Sequence, residues 1–181
     1  MVRLCKTRCL TISVTAMLVL SVAIPLGAQD PGESERTTWV YGFVGWSEEY
    51  RFTPPQGRRV GVSRIGGGWE RLFHRGFGFG VDGGFRPVPD RFDTSFNVHY
   101  HILESSGRSS RVSPFATGGL TVAWGVGDGG LGAGEARYNV GGGVNLWIHD
   151  RFGPRIEFRH YCSHKAGAAL QELRIGGVLS L

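Results

Sequence analysis

The sequence lacks several features by which proteins are commonly classified. After residue 28 it has no apolar run that approaches the length of a membrane-spanning helix, about 18–20 residues. Its three cysteines are too few for the disulfide framework of a small secreted domain, and no cysteine-pair metal motif is present. No segment has the apolar period of an amphipathic helix. These absences argue against a helical membrane protein, a disulfide scaffold and a helical bundle.

The positive charge of the chain is concentrated at its start. Three basic residues precede an apolar segment: Arg3, Lys6 and Arg8. The apolar segment Leu10–Ile24 is followed by helix-breaking residues and then by Ala28, a pattern that predicts a secretory signal peptide over residues 1–28. Those three charges are more than half of the formal net charge of +5, so the remaining domain, residues 29–181, lacks the basicity of a nucleic-acid binder. We therefore expect no nucleic-acid partner.

The stretch "HRGFGFGVDGGFRP", residues 74–87, contains the pattern G-x-G-x-x-G. In a dinucleotide-binding unit this pattern opens a helix, whereas here Pro87-Val88-Pro89 follows, and proline prevents the backbone hydrogen bonds of a helix interior. The apolar residues of the stretch instead occupy every second position: Phe77, Phe79, Val81 and Phe85. A period of two predicts a β-strand whose glycines lie on the opposite face.

The same period recurs along the chain, and the segments are separated by turn-rich pieces. Their length, about 10 residues or slightly more, is that of a tilted strand that crosses a bilayer. We count eight: 37–47, 60–73, 75–87, 92–103, 112–124, 136–148, 152–163 and 170–181.

One face of these segments is apolar and the other carries charges. The charged residues predicted to share the inner face are Arg64, Glu70, Asp82, Arg86, Arg137, Arg155, Glu157, Arg159, Glu172 and Arg174. A β-structure in lipid must close on itself so that every backbone group is paired, and eight strands leave an interior that side chains nearly fill. The alternative is a soluble sandwich or lipocalin-like barrel that displays the charges outside. The signal peptide favours an all-β, eight-stranded, antiparallel up-and-down transmembrane β-barrel.

The barrel hypothesis predicts a topology. Both termini would lie in the periplasm with the turns near 73–75, 104–111 and 149–151, and the loops near 48–59, 88–91, 125–135 and 163–169 would face outside. Aromatic residues near strand ends would form the interfacial girdles. These aromatics are Trp39, Trp46, Trp69, Tyr100, Trp124, Tyr138 and Phe152.

Three stretches carry a family resemblance: "RVSPFATGGLTVAWG", "YNVGGGVNLWIHDRFGPRIEFRHY" and "LQELRIGGVLSL". They resemble the small outer-membrane β-barrel domain proteins, the OmpA-like or opacity-type barrels, over residues 29–181. The resemblance implies export by the signal peptide to the bacterial outer membrane. It also implies contact with outer-membrane lipid, insertion by the barrel-insertion machinery through the C-terminal strand, and a monomer. The family usually ends in an aromatic residue, whereas this chain ends in Leu181.

The inward charges predict ion pairs inside the barrel. If residues paired across the last hairpin have numbers that sum to 331, Arg159 lies opposite Glu172 and Glu157 lies opposite Arg174. Opposite charges in such positions attract. The set could form a gated pore or a salt-bridged plug, and we expect the plug, with a largely occluded lumen.

Two further groups could carry chemistry. Some eight-stranded barrels deacylate lipid A with a His-x-Ser pair near the end of the seventh strand, and the residues in question here are His160, Cys162, Ser163 and Glu172. Cys162 stands where that family has serine. His99 and His101 face inward beside polar neighbours, but a metal site needs three or four converging ligands, so we expect a lumen hydrogen-bond network.

The sequence thus predicts a non-enzymatic integral outer-membrane barrel with a structural or surface-interaction role through its outer loops. A lipid A acyl-chain hydrolase and a narrow passive, porin-like channel are the alternatives. We expect no cofactor and no bound metal. In such a protein the outer loops would carry the specificity for a surface ligand.

Overall fold

A computed structural model describes most of the predicted domain. The described residues are 38–51, 57–74, 76–87, 90–102, 111–127, 130–131, 134–149, 151–163 and 168–181. The predicted signal peptide, residues 1–28, lies outside them, as do the tips of three of the four predicted outer loops and part of the loop near 88–91.

The described residues lie almost entirely in strands. The strands are β1 (Thr38–Arg51), β2 (Gly57–His74), β3 (Phe77–Pro87), β4 (Asp90–His101), β5 (Val112–Gly127), β6 (Gly130–Leu131), β7 (Glu135–Leu146), β8 (Phe152–Ser163) and β9 (Ala168–Ser180). Among the described residues, no helix is long and apolar enough to cross a membrane.

The eight long strands close into a barrel in which every pairing is antiparallel. Neighbours along the chain pair with one another, and β1 pairs with β9, which joins the two ends of the described chain. The two-residue β6 pairs only with β5 and lengthens the hairpin between β5 and β7. The eight-stranded antiparallel up-and-down fold predicted from the sequence is confirmed.

Two ends of the barrel can be distinguished. The terminus end carries the start of β1, the end of β9 and the connections after β2, β4 and β7. Most of the predicted turn near 104–111 lies outside the described residues. The hairpin end carries the other four connections, which include the predicted outer loops. The loop predicted near 48–59 is shorter than expected, because β1 and β2 continue past a bulge at Ser47/Glu48 until Arg51 pairs with Gly57.

The tight turn between β2 and β3 depends on Gly76. Its φ is +82°, a left-handed conformation that residues with a Cβ rarely adopt. A Cβ at this position would also lie 2.0 Å from the carbonyl oxygen of His101. The backbone NH of His101 donates to the Gly76 carbonyl oxygen at 2.8 Å, so the turn is fixed to the end of β4.

The barrel wall has its apolar face outside and its charged face inside, which is the reverse of a soluble protein. Large apolar side chains such as Ile65, Phe96 and Tyr138 are exposed on the outer face, whereas charged side chains such as Arg159 and Glu172 are fully buried inside. A soluble barrel would bury the apolar face. The surface therefore suits lipid, and the sandwich and lipocalin-like alternatives do not fit.

Six of the seven predicted girdle aromatics lie on the outer face, with Trp46 and Phe152 about half exposed. The prediction that Trp39 belongs to the girdle is wrong, because this residue is buried inside the barrel. Its ring packs edge-on against His101 at 4.6 Å and against Trp147 at 5.2 Å. The β1 segment is apolar on both faces, so the alternation there does not indicate which face is outside.

The outward face gives a depth-dependent prediction. Phe96 lies in the middle of β4 and Phe92 lies near its start at the hairpin end, and both are exposed. Phe96→Arg should lower the free energy of unfolding in lipid vesicles by about 2–4 kcal/mol, because the charge enters the bilayer midplane. Phe92→Arg should cost about 0–1 kcal/mol. Equal losses in denaturant titrations would contradict a membrane-spanning wall.

Candidate functional site: the charged lumen

The inner face of the wall carries a dense set of charges. Nine of the ten charged residues predicted to face inward are buried: Arg64, Glu70, Asp82, Arg86, Arg155, Glu157, Arg159, Glu172 and Arg174. They come from β2, β3, β8 and β9. Within each strand their numbers share one parity, which is why the period of two places them on one face.

Asp82 on β3 is the centre of the set. Its Oδ2 accepts a hydrogen bond from Arg159 Nη1 at 2.7 Å, and its Oδ1 accepts one from Arg174 Nη1 at 3.2 Å. Arg64 Nη2 lies 3.8 Å from Oδ1, and Asn97 Nδ2 donates to Oδ2 at 2.7 Å. One carboxylate thus holds guanidinium groups from three strands.

The pairing continues toward the hairpin end. Arg174 Nη2 is 3.4 Å from Glu172 Oε2, which also accepts a hydrogen bond from Arg64 Nη1 at 3.1 Å. Arg64 Nε lies 3.6 Å from Asp93 Oδ2, and Arg86 Nε lies 3.5 Å from the same oxygen. Asp93 was not among the charged residues predicted to face inward, although its alternation on β4 gives it inward parity.

The pairing also continues toward the terminus end. Arg159 Nε donates to Glu157, and Glu157 Oε2 lies 3.4 Å from Arg155 Nε. Arg155 Nη1 in turn donates to Glu70 Oε1 at 3.1 Å. Together these contacts make one continuous series along the lumen, which we call the ion-pair chain. Its members are Arg64, Glu70, Asp82, Arg86, Asp93, Arg155, Glu157, Arg159, Glu172 and Arg174.

The ion-pair chain is balanced in charge, with five arginines and five carboxylates. Balance matters because an unpaired charge in a dry interior costs several kcal/mol. Most members have two or more partners, which makes the arrangement tolerant of small movements; Arg86, which pairs with Asp93, is an exception among the described contacts.

The predicted register of the last hairpin is correct, since Arg159 pairs with Glu172 and Glu157 pairs with Arg174 in the β8–β9 ladder. The ion pairs nevertheless follow other directions. Arg159 reaches across the lumen to Asp82 and along its own strand to Glu157. Long arginine side chains can extend to such partners, whereas the strand register gives only the directly opposite positions.

Aromatic rings that were not predicted from the sequence line the ion-pair chain. Arg155 Cζ lies 4.2 Å from the ring centroid of Tyr41 and 4.1 Å from that of Phe115. Arg174 Cζ lies 4.3 Å from the centroid of Phe43. These cation–π contacts stabilise guanidinium groups that have lost their water.

Space for the arginines comes from glycines on the inner face. A Cβ on Gly84 would lie 2.2 Å from Arg64 Nε, so a larger residue there would displace the Arg64 guanidinium from its present position. The hydroxyl of Tyr161 accepts a hydrogen bond from Arg64 Nη1 at 3.1 Å and also contacts Arg174 Nη2. Tyr161 is fully buried beside them.

The opposite wall of the lumen is polar but uncharged. Ser95 and Thr121 are linked through their hydroxyls at 2.9 Å, and Asn139 Nδ2 donates to Thr121 Oγ1 at 2.9 Å. All three are buried. The barrel interior therefore has a charged side built mainly on β2, β3, β8 and β9, with Asp93 contributed by β4. The other side is lined by the neutral polar residues of β4, β5 and β7.

A second cluster joins Glu70 to the histidines of β4. Glu70 Oε2 is 3.3 Å from His99 Nδ1, and Glu70 Oε1 is 3.3 Å from His101 Nε2. All three side chains are almost completely buried. Trp39 and Trp147 pack between this cluster and the terminus end of the barrel.

Arg137, the tenth predicted charge, lies at the rim of the hairpin end. Its Nη2 donates to Glu135 Oε2 at 2.7 Å, and Glu135 also accepts a hydrogen bond from Ser163. Both members of this pair are partly exposed. It is a local contact between β7 residues that stands apart from the ion-pair chain.

The residues of the hydrolase alternative are divided between the two faces of the wall. His160 has the parity of the outward residues Ile156 and Phe158, but it is buried. It pairs with Gln171 in the ladder, so Glu172 has inward parity, and its carboxylate binds Arg64 and Arg174 in the lumen. The histidine and the carboxylate therefore do not form a triad with Cys162 or Ser163.

The ion-pair chain predicts unequal effects of removing a carboxylate. Asp82→Asn keeps the shape of the side chain but leaves three guanidinium groups without their shared anion, so it should cost about 3–5 kcal/mol of unfolding free energy. Glu135→Gln, in the partly exposed rim pair, should cost about 1 kcal/mol or less. Denaturant titration of the two variants checks this, and similar losses would contradict a central role for Asp82.

Comparison with known proteins supports the fold. No protein-family model and no curated protein matches the sequence. Among solved structures, Neisserial surface protein A is 13% identical with a TM-score of 0.61, covering 78% of this chain and 96% of its own. The N-terminal β-barrel domain of Pseudomonas aeruginosa OprF is 15% identical with a TM-score of 0.56, covering 79% and 97%.

A further similar structure is Ail, the attachment invasion locus protein of Yersinia pestis, solved in complex with the heparin analogue sucrose octasulfate. It is 12% identical with a TM-score of 0.54, and the match covers 81% of this chain and 99% of Ail. At these identities the likeness concerns the fold. The predicted resemblance is confirmed at that level: this chain has the fold of the eight-stranded outer-membrane β-barrels.

Proposed function

We propose that this protein is a non-enzymatic, integral outer-membrane barrel that anchors a surface-exposed set of hairpins and whose lumen is closed by the ion-pair chain. The observation that carries the proposal is the burial of the guanidinium groups of Arg64, Arg159 and Arg174 within the barrel, each paired with carboxylates. Charges in such positions fill the cross-section that a pore would need.

Outer-membrane residence is supported by the apolar outer face and the fold. The outward side chains Phe77, Phe79 and Phe85 of β3 are each about half exposed, and lipid is the solvent that suits them. Export by the predicted signal peptide and insertion through the C-terminal strand β9 belong to the same proposal. β9 pairs along its length with both β1 and β8, so its placement completes the closed wall.

A surface-interaction role is supported by the hairpin end. The hairpin of β1 and β2 continues beyond its bulge, and β6 lengthens the hairpin of β5 and β7. Two of the similar barrels are a surface protein and an attachment protein by name. By that analogy, the hairpin end of this barrel would contact molecules outside the cell.

The division of the hydrolase residues supports the absence of enzymatic activity. A nucleophile, an imidazole and a carboxylate must converge for acyl transfer. Glu172 is instead an integral member of the ion-pair chain through Arg64 and Arg174.

Conductance in planar bilayers tests the closed lumen. The wild-type protein should show no discrete current steps in concentrated KCl. Arg64→Ala combined with Glu172→Ala removes one cation and one anion from the ion-pair chain and keeps its charge balanced. Discrete current steps should appear in this variant, because the lumen loses two of the side chains that close it. Each protein must first show the heat-dependent gel mobility of a folded barrel.

The rim pair provides the matched control, since Arg137→Ala with Glu135→Ala should remain silent. Steps in the wild-type protein would support the passive-channel alternative and overturn the closed lumen. A silent Arg64/Glu172 variant would show that the ion-pair chain is not what closes it.

A further inference from the structure

The Glu70 and histidine cluster has the composition of a metal site. It brings one carboxylate from β2 and two imidazoles from β4 to a single point, with one ligand atom of each residue within 4.8 Å of the others. Zinc and related ions are bound by such histidine and carboxylate sets, commonly with three protein ligands and one water.

The strand between the two ligand-bearing strands creates the space for this convergence. Gly80 of β3 lies in the ladder between Glu70 and Asn97. A Cβ at Gly80 would lie 2.9 Å from His99 Nε2 and 3.0 Å from Glu70 Cβ. The missing side chain therefore lets Glu70 and His99 meet across an intervening strand.

The contacts within the cluster are close to ligand spacing but do not have hydrogen-bond geometry. Glu70 Oε2 lies 3.3 Å from His99 Nδ1, and neighbouring ligands of a tetrahedral ion at about 2.0–2.1 Å are about 3.3–3.4 Å apart. His101 Nε2 lies 3.3 Å from the other glutamate oxygen, Oε1. Among the described residues, Glu70 Oε2 and both ring nitrogens of His99 and of His101 have no hydrogen-bond partner. Five buried polar atoms without a hydrogen-bond partner at one place are unusual, and a bound ion would account for them.

The surroundings hold the ligands in place. Arg155 Nη1 donates to Glu70 Oε1 at 3.1 Å and leaves Oε2 with a free lone pair, as is common for ligating carboxylates. The His101 ring stacks on Phe115 at 5.1 Å and meets the edge of Trp39 at 4.6 Å. These rings restrict the imidazole and separate the cluster from the terminus end.

We propose that Glu70, His99 and His101 form a buried site for one divalent transition-metal ion of the zinc class. The ion would use Glu70 Oε2 and one nitrogen of each imidazole, and a water would complete its shell. It would cross-link β2 to β4 near the terminus end. This site goes beyond the proposed function, because it depends on neither the closed lumen nor the outer hairpins.

Cobalt titration tests the site on the full chain, folded in detergent and free of a polyhistidine tag. We expect saturation at one Co²⁺ per chain, visible absorption bands that Zn²⁺ displaces, and quenching of tryptophan fluorescence through Trp39. Glu70→Gln, His99→Asn and His101→Asn should each weaken binding at least about tenfold. His149→Asn, which changes an exposed histidine at the terminus end, should leave binding unchanged.

Three results would overturn the site: no saturable binding by the wild-type protein, binding that survives the three ligand substitutions, or binding that is lost in His149→Asn. Because a ligand variant could fail to fold, X-ray absorption of the zinc-loaded wild-type protein supplies a test without substitutions. Scattering from two imidazoles is expected, and a shell without imidazole would contradict the assignment.

Discussion

Each guanidinium group inside this barrel requires a carboxylate partner, because the interior offers too little water to solvate an isolated charge. Asp82 meets that requirement for Arg159 and Arg174 at once and lies near Arg64 as well. The remaining carboxylates extend the same pairing toward both ends of the lumen. This constraint also affects the other inward residues, because each long arginine side chain needs a carboxylate partner and enough free space to extend to it.

Space within the lumen is therefore distributed unevenly. The space that a side chain at Gly84 would fill is occupied by Arg64, and the space beside Gly80 is occupied by His99 and Glu70. Phe43 and Phe115 cover the faces of the buried guanidinium groups of Arg174 and Arg155, respectively. On the outside, the same strands present apolar side chains. Alternate residues therefore face the charged lumen and the lipid. Paired charges inside and lipid-facing rings outside are the two halves of one arrangement.

Most of the fold and part of the site could be predicted from the sequence. Alternation located the eight strands and the inward parity of residues such as Asp82 and Arg159, because β-strands impose a strict period. Trp39 was misplaced because β1 is apolar on both faces. The meeting of Glu70 with His99 could not be predicted, since it spans an intervening strand and depends on barrel curvature rather than on register. The reach of Arg159 to Asp82 is hidden for the same reason.

The central claim is that buried charges in the lumen stabilise one another rather than merely coexist. The coupling free energy between Asp82 and Arg159, from a double-mutant cycle of Asp82→Asn and Arg159→Gln in lipid vesicles, measures this directly. The account predicts a coupling of about 1–3 kcal/mol, with the double variant less destabilised than the sum of the single variants. A coupling within about 0.3 kcal/mol of zero would mean that the two charges act independently, and it would contradict the account.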